Sequence, residues 1–200
     1  MGQYYKAIVL NKTWRKAKNP IKVAITSWDY NNGSKLMEHS YIGNEYVRVA
    51  ENMLISDYYG YPFVWCGDYA DCVKINGNDV DIYGESDNKI IQPKYNNEVG
   101  FDKMPFDCYI LVNLDKKEYV DLRRFYIRAN KSENGGYSNL ATFVIHPLPL
   151  LCCNSNGRGG GDYHGTQEDI VGRWAYDRIG IQKDIPQGFV EINVDFKEEY

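Results

Sequence analysis

The stretch NGRGGGDYHG, residues 156–165, places several anion-binding groups in one short loop. Three successive glycines let backbone N–H groups converge on one point, as they do in anion-binding nests. Arg158 could form a forked pair of hydrogen bonds with a phosphate or carboxylate, and His164 could donate or shuttle a proton near neutral pH. We therefore expect a small anionic, nucleotide-like ligand to bind at Asn156, Arg158, Gly159, Gly160, Gly161, Asp162, Tyr163 and Trp174.

The glycines do not follow the patterns of the known phosphate-binding loops. No Gly-Lys-Ser/Thr comes after them, and the spacing Gly-x-Gly-x-x-Gly before a clear helix is absent. Thr166 with Asp169 predicts the start of a short helix, but Glu168 and Asp169 put negative charge there and disfavour a phosphate. If an anion binds, we expect the Asp162 carboxylate to face a sugar hydroxyl, a cation or the loop's own backbone. A solvated turn shaped by glycine is the alternative.

A second motif, WCGDYAD, residues 65–71, follows a predicted buried strand. Its carboxylates Asp68 and Asp71 are three residues apart, a spacing that suits a cation or an acid and base pair. Asp68, Asp162 and His164 together are the candidate catalytic residues of a hydrolase or transferase, which requires the three side chains to converge. Turn formation by Gly67-Asp68 is the structural alternative, so the sequence leaves open whether the protein is an enzyme.

Two further motifs could line a cleft or only stabilise the fold. In NLDKKEYVD, residues 113–121, the polar side chains fit a cross-strand network as well as a cleft. In VGRWAYDRI, residues 171–179, Trp174 could stack on a flat ligand or belong to the core, and Asp177-Arg178 more often fixes structure. The binding hypothesis predicts a concave site that joins this motif to the glycine-rich loop.

The elements that must position these motifs predict an α+β fold, a mainly antiparallel sheet with one long helix and irregular loops. Apolar residues recur every three or four positions over 44–58, which predicts the helix. The stretch 84–105 is polar and turn-rich, so we expect irregular structure there. Alternating or short apolar runs predict strands at 3–10, 21–28, 63–66, 73–83 (a hairpin), 108–125 (strand, turn and strand), 141–145 and 190–197.

Composition limits the classes of partner. A chain of 200 residues fits one globular domain, 1–200. The net charge of −4 supplies no basic field, so nucleic acid is disfavoured. The 18 tyrosines suit contact surfaces, and a protein-interaction inhibitor with a tyrosine-rich face that binds a host protein is the alternative to ligand binding.

Cysteine and histidine spacing disfavours metal sites and disulfides. Five cysteines form no disulfide framework, and no signal sequence is evident, so we expect an intracellular, cytoplasmic protein. His39, His146 and His164 are far apart in the sequence, and no pattern predicts a metal or a cofactor. The apolar run 141–153 is too short and too interrupted by proline to span a membrane.

Several motifs in combination resemble a family of uncharacterised proteins of phages, prophages and their bacterial hosts. The motifs are MGQYYKA, WCGDYAD, LVNLDKKEYVD, and HPLPLLCCNSNGRGGGDYHG followed by VGRWAYDRI, and they are spread over most of the chain. The resemblance implies no catalytic residue. It implies the setting of a phage or mobile-element accessory protein, in which a host-defence antagonist could sequester a signal nucleotide or block an effector.

Overall fold

A mixed, mostly antiparallel sheet carries most of the strands in the computed structural model, which describes residues 1–93, 104, 107–133 (131–133 as backbone only) and 144–199. Its strands are β1 Tyr5–Leu10, β2 Ile21–Thr26, β3 Tyr61–Gly67, β6 Ile110–Asn113, β7 Glu118–Asp121, β8 Cys153–Asn154, β9 Arg178–Gln182 and β10 Val190–Glu191. The order is β10-β7-β6-β9-β3-β1-β2, with β8 beside β3. Strands β4 Val73–Ile75 and β5 Asn78–Val80 form the hairpin expected around Asn76 and Gly77.

The central strands are buried on both faces. In β1, Ala7 and Val9 pack into the larger core, and Ile8 and Leu10 pack into a second core on the opposite face. Strand β3 alternates in the same way, since its Trp65 joins the larger core and its Cys66 joins the second. Neighbouring side chains on a strand point to opposite faces, so near-continuous burial requires a layer on each side of the sheet.

The predicted helix is present but shorter, and it is not the one long helix of the fold. Helix α2, Glu45–Ile55, begins at Asn44, whose side chain accepts a hydrogen bond from Val47 N at 3.3 Å, and it ends before residue 58. Helix α4, Arg123–Glu133, is equally long, with 11 residues. The other helices in the described residues are short: α1 Leu36–His39, α3 Ile82–Glu85 and α5 Pro147–Leu151.

Helix α4 begins where the sequence predicts a continuing strand. The Asp121 carboxylate accepts the Arg123 N–H at 3.0 Å, and this side-chain contact starts the helix. Leu122, Phe125 and Tyr126 are buried at spacings of three and four residues. Their spacing is helical, but the alternating strand pattern that precedes them led to the prediction of a strand up to residue 125.

The predicted strand 190–197 is wrong beyond its first two residues. Val194 and Phe196 are buried, as the alternation indicated, but β10 ends at Glu191. The N–H of Asp195 donates to the Gln167 side chain at 2.7 Å, and that of Lys197 donates to the Tyr163 hydroxyl at 3.0 Å. Side chains therefore replace the neighbouring strand that a ladder needs.

Parts of two other predictions lie outside the described residues, at 94–103 and 105 and at 141–143. The described part of 84–105 includes short helical turns, so its first residues are not irregular. Among the described residues, no helix is long and apolar enough to cross a bilayer.

One edge of β3 positions the motifs of interest. Residues Tyr61 and Pro62 pair there with β9, and Trp65 and Cys66 pair with β8. The chain leaves β8 into the glycine-rich loop and returns to β9 through residues 171–177. Both segments are consequently held next to each other beside the same strand.

Candidate functional site

The glycine-rich loop, residues 156–165, is closed by one amide side chain. Asn156 Nδ2 donates to the Tyr163 carbonyl at 3.0 Å, and Tyr163 N donates to Asn156 Oδ1 at 2.9 Å. The ring of Tyr163 is buried against Phe196, and its hydroxyl donates to the Thr166 carbonyl at 2.7 Å. Asn156 and Tyr163, two of the predicted ligand-binding residues, therefore use their polar groups to shape the loop.

Backbone N–H groups of the loop converge on the carboxylate of Asp162, and of the three glycines predicted to form an anion-binding nest only Gly159 is among the donors described. Asp162 Oδ2 accepts the N–H groups of Arg158 at 2.8 Å and Gly159 at 3.0 Å. Asp162 Oδ1 accepts the Tyr5 hydroxyl at 2.7 Å, and the carboxylate is 5% exposed. Of the three predicted partners for this side chain, the loop's own backbone is the one observed.

The glycines themselves pack against other parts of the chain. The N–H of Gly160 donates to the Met1 carbonyl at 3.0 Å. A side chain at Gly159 would meet Gln3, and one at Gly161, where φ is +85°, would meet the Lys35 side chain at 2.3 Å. Close packing, rather than approach of a ligand to the backbone, thus explains these residues.

An open groove of about 560 Å³ lies beside the loop. Arg158 and His164 line it from the loop, and Gly172 and Tyr176 line it from the motif VGRWAYDRI, residues 171–179. The concave site expected between these two motifs is therefore present.

The second wall of the groove is positioned by a close approach at Gly172. Its φ is +80°, and a Cβ there would lie 2.7 Å from the Cys153 carbonyl oxygen. Tyr176 is the aromatic residue at the groove, with its hydroxyl accepting a hydrogen bond from Asn154 at 2.6 Å. Trp174 is 0% exposed and its indole donates to Glu118 at 2.7 Å. The prediction that Trp174 stacks on a ligand fails here because its side chain belongs to the core.

The hairpin β6–β7 holds this wall through ion pairs and hydrogen bonds. Glu118 pairs with Arg173, and the Arg173 and Trp174 hydrogen bonds lower the pKa of this carboxyl although burial raises it. Asn113 Nδ2 donates to Asp177 at 2.8 Å, and Lys116 pairs with the same carboxylate. The polar side chains of the motif NLDKKEYVD, residues 113–121, thus stabilise the fold, which was one of the two roles predicted for them.

The guanidinium of Arg158 reaches the second motif. It donates to the Tyr69 carbonyl at 2.9 Å and pairs with the exposed carboxylate of Asp71. The hydrogen bond and charge of Arg158 lower the pKa of Asp71. Asp68 instead accepts the Tyr4 N–H at 3.0 Å and so joins the end of β3 to β1.

The three candidate catalytic residues do not form one constellation. Asp68 bonds to Tyr4, Asp162 is enclosed by the loop, and His164 is 68% exposed with Glu168 at 3.5 Å. No hydrogen bond joins any two of the three side chains in the described structure. The arrangement required for acid and base catalysis is thus absent from these residues.

A buried charged cluster was missed by the sequence analysis. Glu51 on α2 lies 3.3 Å from Arg48, accepts the Tyr126 hydroxyl at 2.9 Å and lies 2.7 Å from His146 Nε2. Leu148 N donates to His146 Nδ1, so the ring proton is on Nε2 and points at Glu51. Burial raises the pKa of Glu51, but His146 and Arg48 outweigh it and the net shift is downward.

The signal for this cluster is weak in the sequence. Arg48 and Glu51 are three residues apart on a helix whose apolar face is wide, and such pairs usually lie in solvent. Only the packing of α4 and α5 onto α2 buries them. Among the described residues, no hydrogen bond of this cluster reaches the groove.

The cysteines at buried positions have the chemistry of inert thiols. Burial raises the pKa of Cys66 to about 12 and raises that of Cys152 well above its ordinary value. A thiol that stays protonated is a poor nucleophile and a poor metal ligand. In the part of the chain that the structure describes, no group of three His, Cys, Asp or Glu side chains could hold a metal ion.

The comparisons with known proteins leave the site to be interpreted from its geometry. No protein-family model, curated protein or solved structure matches this chain.

Proposed function

We propose that the protein binds a small anionic ligand of the nucleotide class in the groove between the glycine-rich loop and residues 171–176. The observation that carries the proposal is the groove itself, which brings Arg158, His164 and Tyr176 to one concave surface of about 560 Å³. Volumes of about 300–1,000 Å³ are typical of small-molecule sites. The predicted nest of glycine N–H groups has no part in it, because Asp162 accepts the N–H of Gly159 and the Met1 carbonyl accepts that of Gly160.

The charge for the ligand comes from side chains at the groove. Arg158 is paired with Asp71, but both are exposed to solvent, and such pairs exchange partners at little cost. His164 adds a second nitrogen donor at the other part of the loop. A local cation in an otherwise acidic chain favours one small anion over a phosphate-rich polymer.

The walls of the groove are fixed before any ligand arrives. Ser155 and Tyr176 have φ values of +81° and +70°, which side-chain-bearing residues rarely adopt. Strain of this kind persists only where the surroundings hold it, and it concentrates at functional sites. A rigid groove loses less entropy on binding than a mobile one.

The biological role that fits is the sequestration of a signal nucleotide by a phage or mobile-element accessory protein. This part of the proposal depends on the family resemblance of the motifs, and the groove supports it only through the ligand class.

Isothermal titration and thermal shift with nucleoside mono-, di- and triphosphates and cyclic nucleotides test the proposal. We expect one of them at about 1 mM to raise the melting temperature, because a ligand that binds only the folded state stabilises it. Arg158→Ala should weaken binding about tenfold or more, since charge-assisted hydrogen bonds contribute about 1.5–3 kcal/mol.

The matched control is Arg123→Ala, which removes a similarly exposed arginine that pairs with Asp121. This variant should bind as the unaltered protein does. If no phosphate compound shifts the melting temperature, or if both variants lose affinity equally, the groove proposal is wrong.

A second candidate function has one observation in its favour. Trp28 is 73% exposed beside Ile90, and both line a shallow depression with Tyr83. Large exposed aromatic residues are enriched where proteins bind each other, so an inhibitor of a host protein would dock there. Capture of a host protein in equal molar amount by the unaltered chain, and its loss with Trp28→Ala, is the expected result. Equal capture by both chains contradicts it.

A further inference from the structure

The carboxylate of Asp162 is surrounded by donors that converge from two distant parts of the chain. Arg158 N and Gly159 N come from the loop, and the Tyr5 hydroxyl comes from β1. Gln3 lies against the same carboxylate. The amide orientation that pairs its nitrogen with acceptors puts Nε2 2.9 Å from Asp162 Oδ2.

These donors are themselves buried or fixed. Gln3 is 0% exposed and Tyr5 is 1% exposed, while the two backbone N–H groups are held by the closure of the loop at Asn156 and Tyr163. Convergent N–H and O–H groups in a site closed to water are the usual protein environment of a bound carboxylate or oxyanion. None of the four is a cation, so the site selects a small anion by hydrogen bonds and fit.

We infer that Gln3, Tyr5, Arg158 N and Gly159 N form a carboxylate-binding site whose occupant is the chain's own Asp162. The loop keeps its shape only while a carboxylate lies between these donors. Asp162 is thus a positioning residue, which fixes the backbone of Arg158 and with it one wall of the groove.

A substitution that removes only the carboxylate makes the site available to an external anion. In Asp162→Ala the side chain ends at Cβ, and the space released matches formate, which is a carboxylate with a hydrogen in place of the chain. The buried donors left without an acceptor destabilise the fold. We expect a melting temperature roughly 5–10 °C lower.

The test is the melting temperature of Asp162→Ala in sodium formate and in sodium chloride at equal ionic strength. Formate should recover at least half of the loss at concentrations of roughly 50 mM or less, and chloride should not. The control is Asp162→Asn, which fills the same space with an amide. It should lose stability without recovery by formate.

Several results would overturn the inference. One is an Asp162→Ala chain as stable as the original. Another is an increase by formate of the same size in all three chains, which indicates a general salt effect. If Asp162→Ala does not fold in chloride, it should refold in formate. Failure in both shifts the test to Tyr5→Phe, which removes one donor. This chain should melt lower than the original, and an unchanged melting temperature would contradict the inference.

The link to ligand binding rests on the proposed function, and its failure is separable. Formate should restore the nucleotide affinity of Asp162→Ala as well as its stability, because the wall that carries Arg158 is restored. Recovery of stability by formate in a protein that binds no nucleotide would refute the groove proposal and leave the carboxylate site intact.

Discussion

Asp162 and Glu51, the buried carboxylates among the described residues, are held in opposite ways. Asp162 accepts hydrogen bonds from neutral groups, and two of these are backbone N–H groups three and four residues away. Glu51 is paired with the buried cation Arg48 and with side chains of residues 126 and 146, far along the chain. The first arrangement shapes one loop, and the second joins the helices α2, α4 and α5.

Because their partners differ, removal of the Asp162 carboxylate and removal of the Glu51 carboxylate should have different consequences. The neutral donors around Asp162 lose hydrogen bonds, whereas removal of Glu51 takes away the carboxylate that pairs with Arg48, which is 1% exposed. Breaking a buried ion pair by removing one partner is among the most costly changes to a folded protein. Charge compensation therefore makes Glu51 the more sensitive position, and the loop the more adaptable one.

The largest effect should follow Glu51→Ala, with a loss of about 3–5 kcal/mol in the free energy of unfolding. Urea unfolding followed by circular dichroism measures it. The control is Glu45→Ala, on the first turn of the same helix and outside the buried cluster, which should cost much less. A loss below about 1 kcal/mol for Glu51→Ala would break the comparison, because the buried ion pair with Arg48 would then contribute little to stability.

A pH series should separate the contribution of Glu51 from that of the buried histidine His39. Burial lowers the pKa of His39 to about 4, and its ring is neutral between the Gly33 carbonyl and the Trp65 indole N–H. The unfolded chain takes up this proton below about pH 6.5, so stability falls as the pH drops from about 6.5 to about 4, by roughly 3 kcal/mol. Glu51, whose folded pKa is lowered, contributes stability above its unfolded pKa of about 4.3 and loses it only below that pH.

The measurement is urea unfolding at pH 7, 6, 5 and 4. In His39→Gln the decrease between pH 6.5 and 4 should become shallower, while His164→Gln, at an exposed position, should keep the original slope. The same slope in all three chains would show that other groups control the acid range.

A smaller effect is expected on the groove side of the comparison, at Gly172. Gly172→Ala places a methyl group 2.7 Å from the Cys153 carbonyl oxygen at a φ of +80°. We expect a loss of about 1–3 kcal/mol by urea unfolding, from backbone strain and displacement of the wall. Gly188→Ala has a similar φ of +78° but no neighbour within 4 Å, so it measures the strain alone. Equal losses in the two variants would show that the close approach is unimportant.

The smallest effect should be that of Asp71→Asn, which removes the exposed partner of Arg158. Exposed ion pairs contribute little because water screens them, so the unfolding midpoint in urea should stay within error. A clear loss of stability would mean that Arg158 fixes the loop through Asp71, and the loop would then depend on charge as the Glu51 cluster does.

Patterns confined to a few residues predicted the structure well. Two-residue alternation located β2, runs rich in apolar and branched residues located β1 and β3, and the three- and four-residue spacing located α2. The error at α4 had a local cause. The strand signal up to Asp121 ran directly into a helix whose apolar residues are few.

The candidate site was predicted in part. The sequence identified the loop and its junction with residues 171–176, since both are unusual in composition. It named Trp174 among the ligand-binding residues, whereas Tyr176 lines the groove, and nothing in the local pattern reveals which of two nearby rings the core will bury.

The sequence by itself determined the α+β class, the principal strands, the helix after Asn44 and the position of the glycine-rich loop, because these depend on periodicity and on backbone freedom within a few residues. Only the tertiary structure decided that the anion is Asp162, that Glu51 and Arg48 are buried, and that Asp68 and His164 do not meet. The physical reason is that a polar group takes the nearest satisfactory partner in space. For these residues that partner comes from Gln3, Tyr5, Tyr126 or another segment whose distance along the chain carries no information.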